Sequence, residues 1–326
     1  MFRTTLKLAF LTGCGVAFAA SVAHAQDYPT QPVRIVVPYA AGGGVDAMAR
    51  FLSKGLEQRL GQTFFIENRG GSATTLGAAH VARSAPDGYT ILIGSSSTYA
   101  IAVSLYKRLP YDPTKDLTPI SLVAAVPFVL VVHPSVPANS VMELVQLAKS
   151  KPGALNYASA GVGAPHHIYA ELFKTMTGID IKNVSYRGGG PALQDVVAGH
   201  VPITFADAGQ ALALIRDGKV RALGVTVAKR LETMPEVPTM HEAGVAGYEA
   251  NAWIAIAGPA NLPPAIIAKL NKALTEVVTS NETKTHFLNV GWVPLTSTPD
   301  ELGAYIKSEI ARWAKVVEAA GATGVE

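Results

Sequence analysis

Short continuous apolar runs alternate along the chain with segments whose apolar residues recur every three or four positions. Val33–Val37 is such a run, the pattern of a strand buried on both faces. Over residues 46–60, Met48, Leu52, Leu56 and Leu60 fall at i+4 spacing, which predicts an amphipathic helix ended by Gly61. Residues 63–66 read as the next strand and 74–83 as a helix. Pro86-Asp87-Gly88 is a turn signal, and 89–93 a third strand. Repeated strand–helix units at this spacing predict an α/β sheet with right-handed crossovers.

Residues 117–133 break the rhythm with one long apolar stretch carrying Pro127. It exceeds an ordinary strand and reads as a segment leaving one lobe and entering another. The alternation then resumes, with helices expected at 141–149, 166–176, 191–198 and 211–216, and strands at 155–158, 184–186, 203–205 and 222–227. Residues 251–257 form a second crossing segment, followed by a Pro-rich stretch and two helices. The last helix is marked by Thr298 as N-cap, Pro299 at N1 and Glu301 at N3, a capping box. Leu302, Tyr305, Ile306, Trp313 and Val317 form its apolar face, and Gly321 ends it. Two crossings predict two α/β lobes: residues 26–122 with 252–326, and residues 123–251. A ligand site is then expected between hinged lobes, at the carboxyl ends of the strands.

Composition narrows the classes. The 326 residues are 49% hydrophobic and 16% charged, with a formal net charge of +3. Such a chain is neither disordered nor a nucleic-acid binder working through a basic field. The N-terminus reads as a secretory leader: Arg3 and Lys7, an apolar run over 8–22, and Ala23-His24-Ala25 as a cleavage pattern before Gln26. The run is short for a membrane span. Leu11-Thr12-Gly13-Cys14 resembles a lipoprotein box, but cleavage there would strand an apolar tail on the product. Cleavage after Ala25 removes Cys14, the one cysteine, and leaves 25 Lys and Arg against 24 Asp and Glu, a net charge of +1. A cysteine-free chain suits an oxidising compartment.

Candidate chemistry sits in loops that follow strands. Pro38-Tyr39-Ala40-Ala41-Gly42-Gly43-Gly44 runs from the first strand into a helix. Glycines there let the backbone turn and present N–H groups, and a helix N-terminus adds to an anion site. Asp46, in the first helical turn, would compete for the same donors, so it reads as a loop brace ahead of a ligand contact. Gly94-Ser95-Ser96-Ser97-Thr98 is rich in hydroxyls. Ser159-Ala160-Gly161-Val162-Gly163-Ala164 leads into the helix that carries His166, and Tyr186-Arg187-Gly188-Gly189-Gly190 precedes another. Four such loops facing one cleft would form an oxyanion site built from backbone donors. Gly42-x-Gly44-x-x-Ala47, with Glu67 ending the next strand, is a loose dinucleotide fingerprint, but an export signal argues against that cofactor. Ser104-x-x-Lys107 lacks the partner motifs of a serine acyl-enzyme. No Gly-x-Ser-x-Gly elbow occurs, and His166, His167 and Glu171 are a weak metal cluster. No cofactor, metal or catalytic group is expected.

At these loops the chain resembles the Bug family, the extracytoplasmic solute receptors of tripartite tricarboxylate transporters. The resemblance runs through Tyr28-Pro29, Pro32-Val33-Arg34, residues 37–46, Glu67-Asn68-Arg69 and Ala85-Pro86-Asp87-Gly88-Tyr89-Thr90. It continues through Leu105-Tyr106, Leu109-Pro110-Tyr111-Asp112-Pro113, Leu155-Asn156-Tyr157-Ala158-Ser159, Glu171-Leu172-Phe173, Arg221-Ala222-Leu223, Val237-Pro238-Thr239 and Glu242-Ala243-Gly244. It implies a two-lobed periplasmic binding protein of type II-like fold. That protein would capture a small di-, tri- or aromatic carboxylate and deliver it to two membrane subunits. Tyr39, Ala40, Ala41, Gly42, Gly43 and Asp46 match the family's first loop, and Ser159, Gly161 and Gly163 its facing loop. Ser97, Thr98 and Asp207 join the expected ligand set, and His166 and Arg187 are candidates for a second carboxylate. The chain departs from the family at Gly70, Ala164, Pro165, His166 and Ala206-Asp207, at the expected mouth of the pocket. A sensory protein docking on a membrane kinase and an exported serine hydrolase are the alternatives; no base accompanies any of these serines. A monomer is expected.

Overall fold

The computed structural model describes residues 28–71, 74–319 and 321–324. The expected leader lies outside them. In the N-terminal part, β1 (Val33–Val37) is followed by α1 (Gly44–Leu60), β2 (Phe64–Asn68), α2 (Thr75–Ala82) and β3 (Thr90–Ser95). β1 pairs in parallel with β2 on one edge and β3 on the other. The i+4 stripe of α1 is buried at Met48, Leu52 and Leu56. Gly61, at φ 71°, closes the helix by donating its N–H to the Glu57 carbonyl at 2.9 Å. After β3 the serine-rich segment is a π-helical turn, Ser97–Ile101, that runs into the short α3 (Ala102–Leu105). Sequence periodicity gave no helix here. The turn is held by tertiary contacts: Tyr99, Ala100 and Ile101 are fully buried, and the Tyr111 hydroxyl donates to the Thr98 carbonyl at 2.6 Å.

The stretch that broke the pattern is a single strand, β4 (Leu117–Val132). Beyond it come α4 (Val141–Ser150), β5 (Leu155–Ser159), α5 (Pro165–Thr177), β6 (Ile181–Ser185), α6 (Gly189–Val197), β7 (Ile203–Asp207), α7 (Ala208–Arg216) and β8 (Arg221–Val225). The chain then returns through β9 (Asn251–Pro259) to α8 (Pro264–Val278), α9 (Asn281–Asn289), β10 (Val293–Pro294) and α10 (Pro299–Ala319). From Leu117 to Pro127, β4 runs antiparallel to β9, with register slips after Pro119 and Leu122. From Phe128 to Val132 it is flanked instead by β7 and β8. Pro127, which has no N–H to give a ladder, stands opposite Asn251 where the β9 pairing ends. The sheet order is β2-β1-β3-β9-β4-β7-β5-β6, with β8 and β10 also on β4. The two ends of that path form two α/β lobes on one shared strand.

The C-terminal helices pack back on the first lobe. The capping box of α10 is formed: Thr298 N–H donates to Glu301 Oε2 at 2.8 Å, and Glu301 N–H to Thr298 Oγ1 at 3.2 Å. One turn of α10 carries Glu309, buried to 3% exposure. It accepts the indole N–H of Trp253 on β9 at 3.0 Å and of Trp313 at 2.8 Å. Arg312 adds an ion pair at 3.2 Å. Glu309→Ala would leave two indole donors buried without an acceptor, so it is expected to cost roughly 2–5 kcal/mol. Glu309→Gln keeps an acceptor oxygen and is expected to cost less. Denaturant unfolding of the two variants checks the order.

Candidate functional site

Strand ends and helix starts from both lobes enclose a cavity of about 690 Å³. Its floor is the junction itself, Val126 and Phe128 of β4 with Ala252 and Ile254 of β9. One wall belongs to the first lobe, with Tyr39, Gly44 and Val45 from the loop into α1, Ser95 and Ser97 after β3, and Leu105 from α3. The other belongs to the second lobe, with Gly163, Ala164 and His166 at the start of α5, Gly189 at the start of α6, and Asp207 at the end of β7.

The glycine loop is divided between two tasks. Tyr39, Ala40 and Gly44 line the cavity, whereas Ala41, Gly42 and Gly43 are exposed outside the lining. Asp46 is buried and faces back into the loop. Its carboxylate accepts Gly42 N–H at 2.9 Å, Asn68 Nδ2 at 2.9 Å and the Arg50 guanidinium at 3.0 and 3.1 Å. Burial pushes this carboxyl up, but those hydrogen bonds and the Arg50 charge outweigh it and hold it below the ordinary aspartate value. The Tyr39 hydroxyl is fixed by Ser95 Oγ at 2.6 Å and Thr98 Oγ1 at 3.5 Å, which places Thr98 behind the wall.

The second-lobe loop shows the same division. Ser159 is buried beneath it, and its Oγ accepts Gly161 N–H at 3.3 Å. Neither residue lines the cavity, and Arg187 is exposed outside it. Gly163 packs against Leu105 so closely that a Cβ there would lie 2.3 Å from its Cδ2. His167 Nδ1 accepts Gly163 N–H at 3.4 Å, and Glu171 accepts the Tyr157 hydroxyl at 2.6 Å and Lys174 Nζ at 2.9 Å. His166 does line the cavity. Its ring meets Phe128 edge-on at 5.0 Å, its Nδ1 is buried without a partner, and burial pushes its pKa down to about 4, so it is neutral at pH 7.

Several lining residues carried no sequence signal. Trp292, between α9 and β10, stands against Gly44 and packs edge-on with Phe287 at 5.5 Å. Just before it, the turn at Val290 and Gly291 lies directly on Gly209 of α7, where a Cβ would fall 1.9 Å from the Val290 carbonyl oxygen. This backbone-to-backbone contact joins the two lobes at the cavity rim. Leu105, Phe128 and Trp292 are far apart in sequence, and only the fold brings them together.

The electrostatics rest on backbone. No lysine or arginine lines the cavity among the described residues. The helices α1, α5 and α6 begin there with no side chain capping them, at Gly43, Ala164 and Gly188. Each first turn carries the positive end of its helix dipole, but free N–H groups are unevenly supplied: Gly44 and Val45 open α1, whereas α5 begins on Pro165, which has none, and donates its His167 N–H to the Ala164 carbonyl at 3.0 Å, and α6 has Pro191 in its first turn. α7 differs, because Asp207 caps it by accepting Gly209 N–H at 2.9 Å and Gln210 N–H at 3.2 Å. Burial drives the Asp207 carboxyl up against those two bonds, from 3.8 to about 6.

Comparison with known proteins gives a consistent picture. The family profile described as "Tripartite tricarboxylate transporter family receptor" matches residues 48–322. Protein BugT of Bordetella pertussis is 37% identical over 314 residues, covering 96% of this chain and 95% of that protein. The R. palustris protein Rpa4515, solved with adipate, superposes with a TM-score of 0.83 at 36% identity, covering 92% of this chain and 100% of that one. The periplasmic binding protein BugD superposes with a TM-score of 0.80 at 33% identity, covering 91% of this chain and 100% of that one. These neighbours are periplasmic binding proteins, not enzymes, so the serine-hydrolase alternative is set aside. Among the described residues no helix is long and apolar enough to cross a membrane.

The raised Asp207 pKa sets a pH dependence. Between pH 3.8 and about 6 the native carboxyl holds a proton that the unfolded chain has released. Stability therefore falls as pH rises through that window. Asp207→Asn keeps a capping side chain and removes the penalty. Its melting temperature relative to the parent is expected to rise from pH 4 to pH 7, measured by thermal denaturation in the absence of ligand. A gap that is constant or shrinks over that range contradicts the assignment.

Proposed function

The chain belongs to the tripartite tricarboxylate transporter family receptors, and from that premise we propose that it captures a small carboxylate in the cavity and delivers it to the membrane subunits of such a transporter. The observation that carries this reading is that helix N-termini without side-chain caps, those of α1, α5 and α6 among them, surround one cavity, with no cationic side chain on its wall among the described residues. Each presents a partial positive charge to whatever lies between the lobes, and the start of α1 adds N–H donors at Gly44 and Val45. One such contact contributes about 0.3–1 kcal/mol, and up to ~2 kcal/mol when partly buried. The hydroxyls of Tyr39 and Ser97 add neutral donors. An anion of carboxylate size suits this arrangement. That Rpa4515 was solved with adipate supports the class of ligand.

In this reading residues 26–122 with 252–326 close on residues 123–251, bending where β4 passes from β9 to β7 and β8. The leader of residues 1–25 directs the chain to the periplasm, and it acts there as a monomer. Tyr39, Ala40, Gly44 and Ser97 meet the ligand from the first lobe; Gly163, Ala164, His166 and Asp207 meet it from the second. Asp46, Thr98 and Ser159 hold the loops that do so.

Thermal denaturation of residues 26–326 tests the reading, after unfolding and refolding to strip any ligand carried through purification. The panel spans mono-, di- and tricarboxylic and aromatic acids. A ligand at a hundredfold excess over its Kd adds about 2.7 kcal/mol to the folded state, so at least one acid is expected to raise the melting temperature clearly. A panel in which no acid moves it rejects carboxylate capture.

A further inference from the structure

Among the described residues lining the cavity, Asp207 is the only one with an ionised side chain at neutral pH. Its Oδ1 is engaged by Gly209 and Gln210 N–H. Among the described residues its Oδ2 takes no hydrogen bond or ion pair. The residue is half-buried, and among the described residues nothing packed against it supplies a compensating cation. Phe128 stands opposite it in the ladder, and the Val290–Gly291 backbone covers the start of α7. His166 on the same wall is neutral. The second-lobe wall therefore carries, beside the starts of α5 and α6, one charged acceptor open to a donor, the Asp207 Oδ2, whereas the start of α1 offers donors alone.

A ligand with two carboxylates would bring its second negative charge toward Asp207 in a cavity whose described lining holds no lysine or arginine to offset it. Like charges at close range in a partly desolvated site repel strongly. A ligand nitrogen carrying N–H would instead meet the free Asp207 oxygen, in a charge-assisted hydrogen bond. We propose that the ligand is a monocarboxylate whose far end bears an N–H donor, an ammonium or a primary amide, and that Asp207 is the residue selecting it over a dicarboxylate of the same length. This rests on the carboxylate reading given above and narrows it. It also separates this chain from the adipate-bound neighbour, whose ligand carries a carboxylate at each end.

Calorimetric titration of refolded residues 26–326 at pH 7.5 tests the proposal with ligands matched in length. Each set contains an acid bearing a terminal amine, its terminal amide, the dicarboxylate, the plain acid, and the amine with no carboxylate. One group of sets is straight-chain, with two to six carbons between the ends. A second is built on benzoate, with the para position as aminomethyl, carboxamide, carboxylate or hydrogen, and benzylamine as the amine without a carboxylate. In at least one set the nitrogen-bearing acid is expected to bind about tenfold or more tighter than its dicarboxylate. Asp207→Asn is expected to lower that preference about tenfold. Asp207→Ser, also a capping residue, serves if the first variant does not fold. A dicarboxylate that binds as tightly as its nitrogen-bearing partner overturns the proposal, as does a preference that survives the substitution. If no acid binds at all, the carboxylate reading fails and the proposal with it. If amines without a carboxylate bind as well as the amino acids, the carboxylate reading fails while the role of Asp207 stands.

Discussion

Both lobes are built on β4, and the position of the cavity follows from how that strand is shared. Its first eleven residues belong to the ladder with β9, and its last five lie between β7 and β8. From Val123 to Val132 every residue is buried, so the strand has no face to give to water and must be covered along that length by both lobes. Where it changes partners the sheet leaves a gap above Val126 and Phe128, and strand ends from either side converge there. The helix N-termini point at the gap because parallel strands feed helices at their carboxyl ends. The binding geometry is thus a consequence of topology, with side chains adjusting it.

A cavity that meets an anion with backbone dipoles differs from one that uses arginine. A guanidinium would supply a strong bidentate pair but would need its own counter-charge when the cavity is empty. Here Arg50, beside the glycine loop, is already paired with Asp46 and is half-exposed outside the cavity lining. The Asp46 carboxylate holds the loop by accepting Gly42 N–H and Asn68 Nδ2. That leaves Gly44 and Val45 lining the cavity, with first-turn N–H groups that have no acceptor in their own helix. Donors that are fixed before the ligand arrives need little reorganisation to receive it.

Much of the frame was legible in the sequence, because local physics writes it. The apolar run of β1, the i+4 stripe of α1 and the Thr298–Glu301 capping box are all decided within a few residues. The glycine loop was legible as an anion-binding turn, but not which of its atoms face inward: Ala41, Gly42 and Gly43 turn out to the solvent, and Tyr39 and Gly44 turn in. β4 was visible as a crossing, but not that the crossing is one unbroken strand, which the change of partner at Pro127 makes possible. The π-helical turn at Ser97–Ile101 is fixed by burial and by Tyr111, thirteen residues from Thr98, and has no local pattern. Trp292 and the contact of Gly209 with Gly291 are wholly tertiary.

The central claim is that a carboxylate, held by uncharged donors, is what the cavity binds. It is tested most directly by comparing the tightest-binding acid with its methyl ester, which keeps the carbon frame and removes the charge. Calorimetric titration of the refolded protein is expected to show the ester binding about a hundredfold weaker, the loss of two charge-assisted hydrogen bonds. An ester that binds within threefold of its acid would contradict the claim, because the donors at the start of α1 would then not be what holds the ligand.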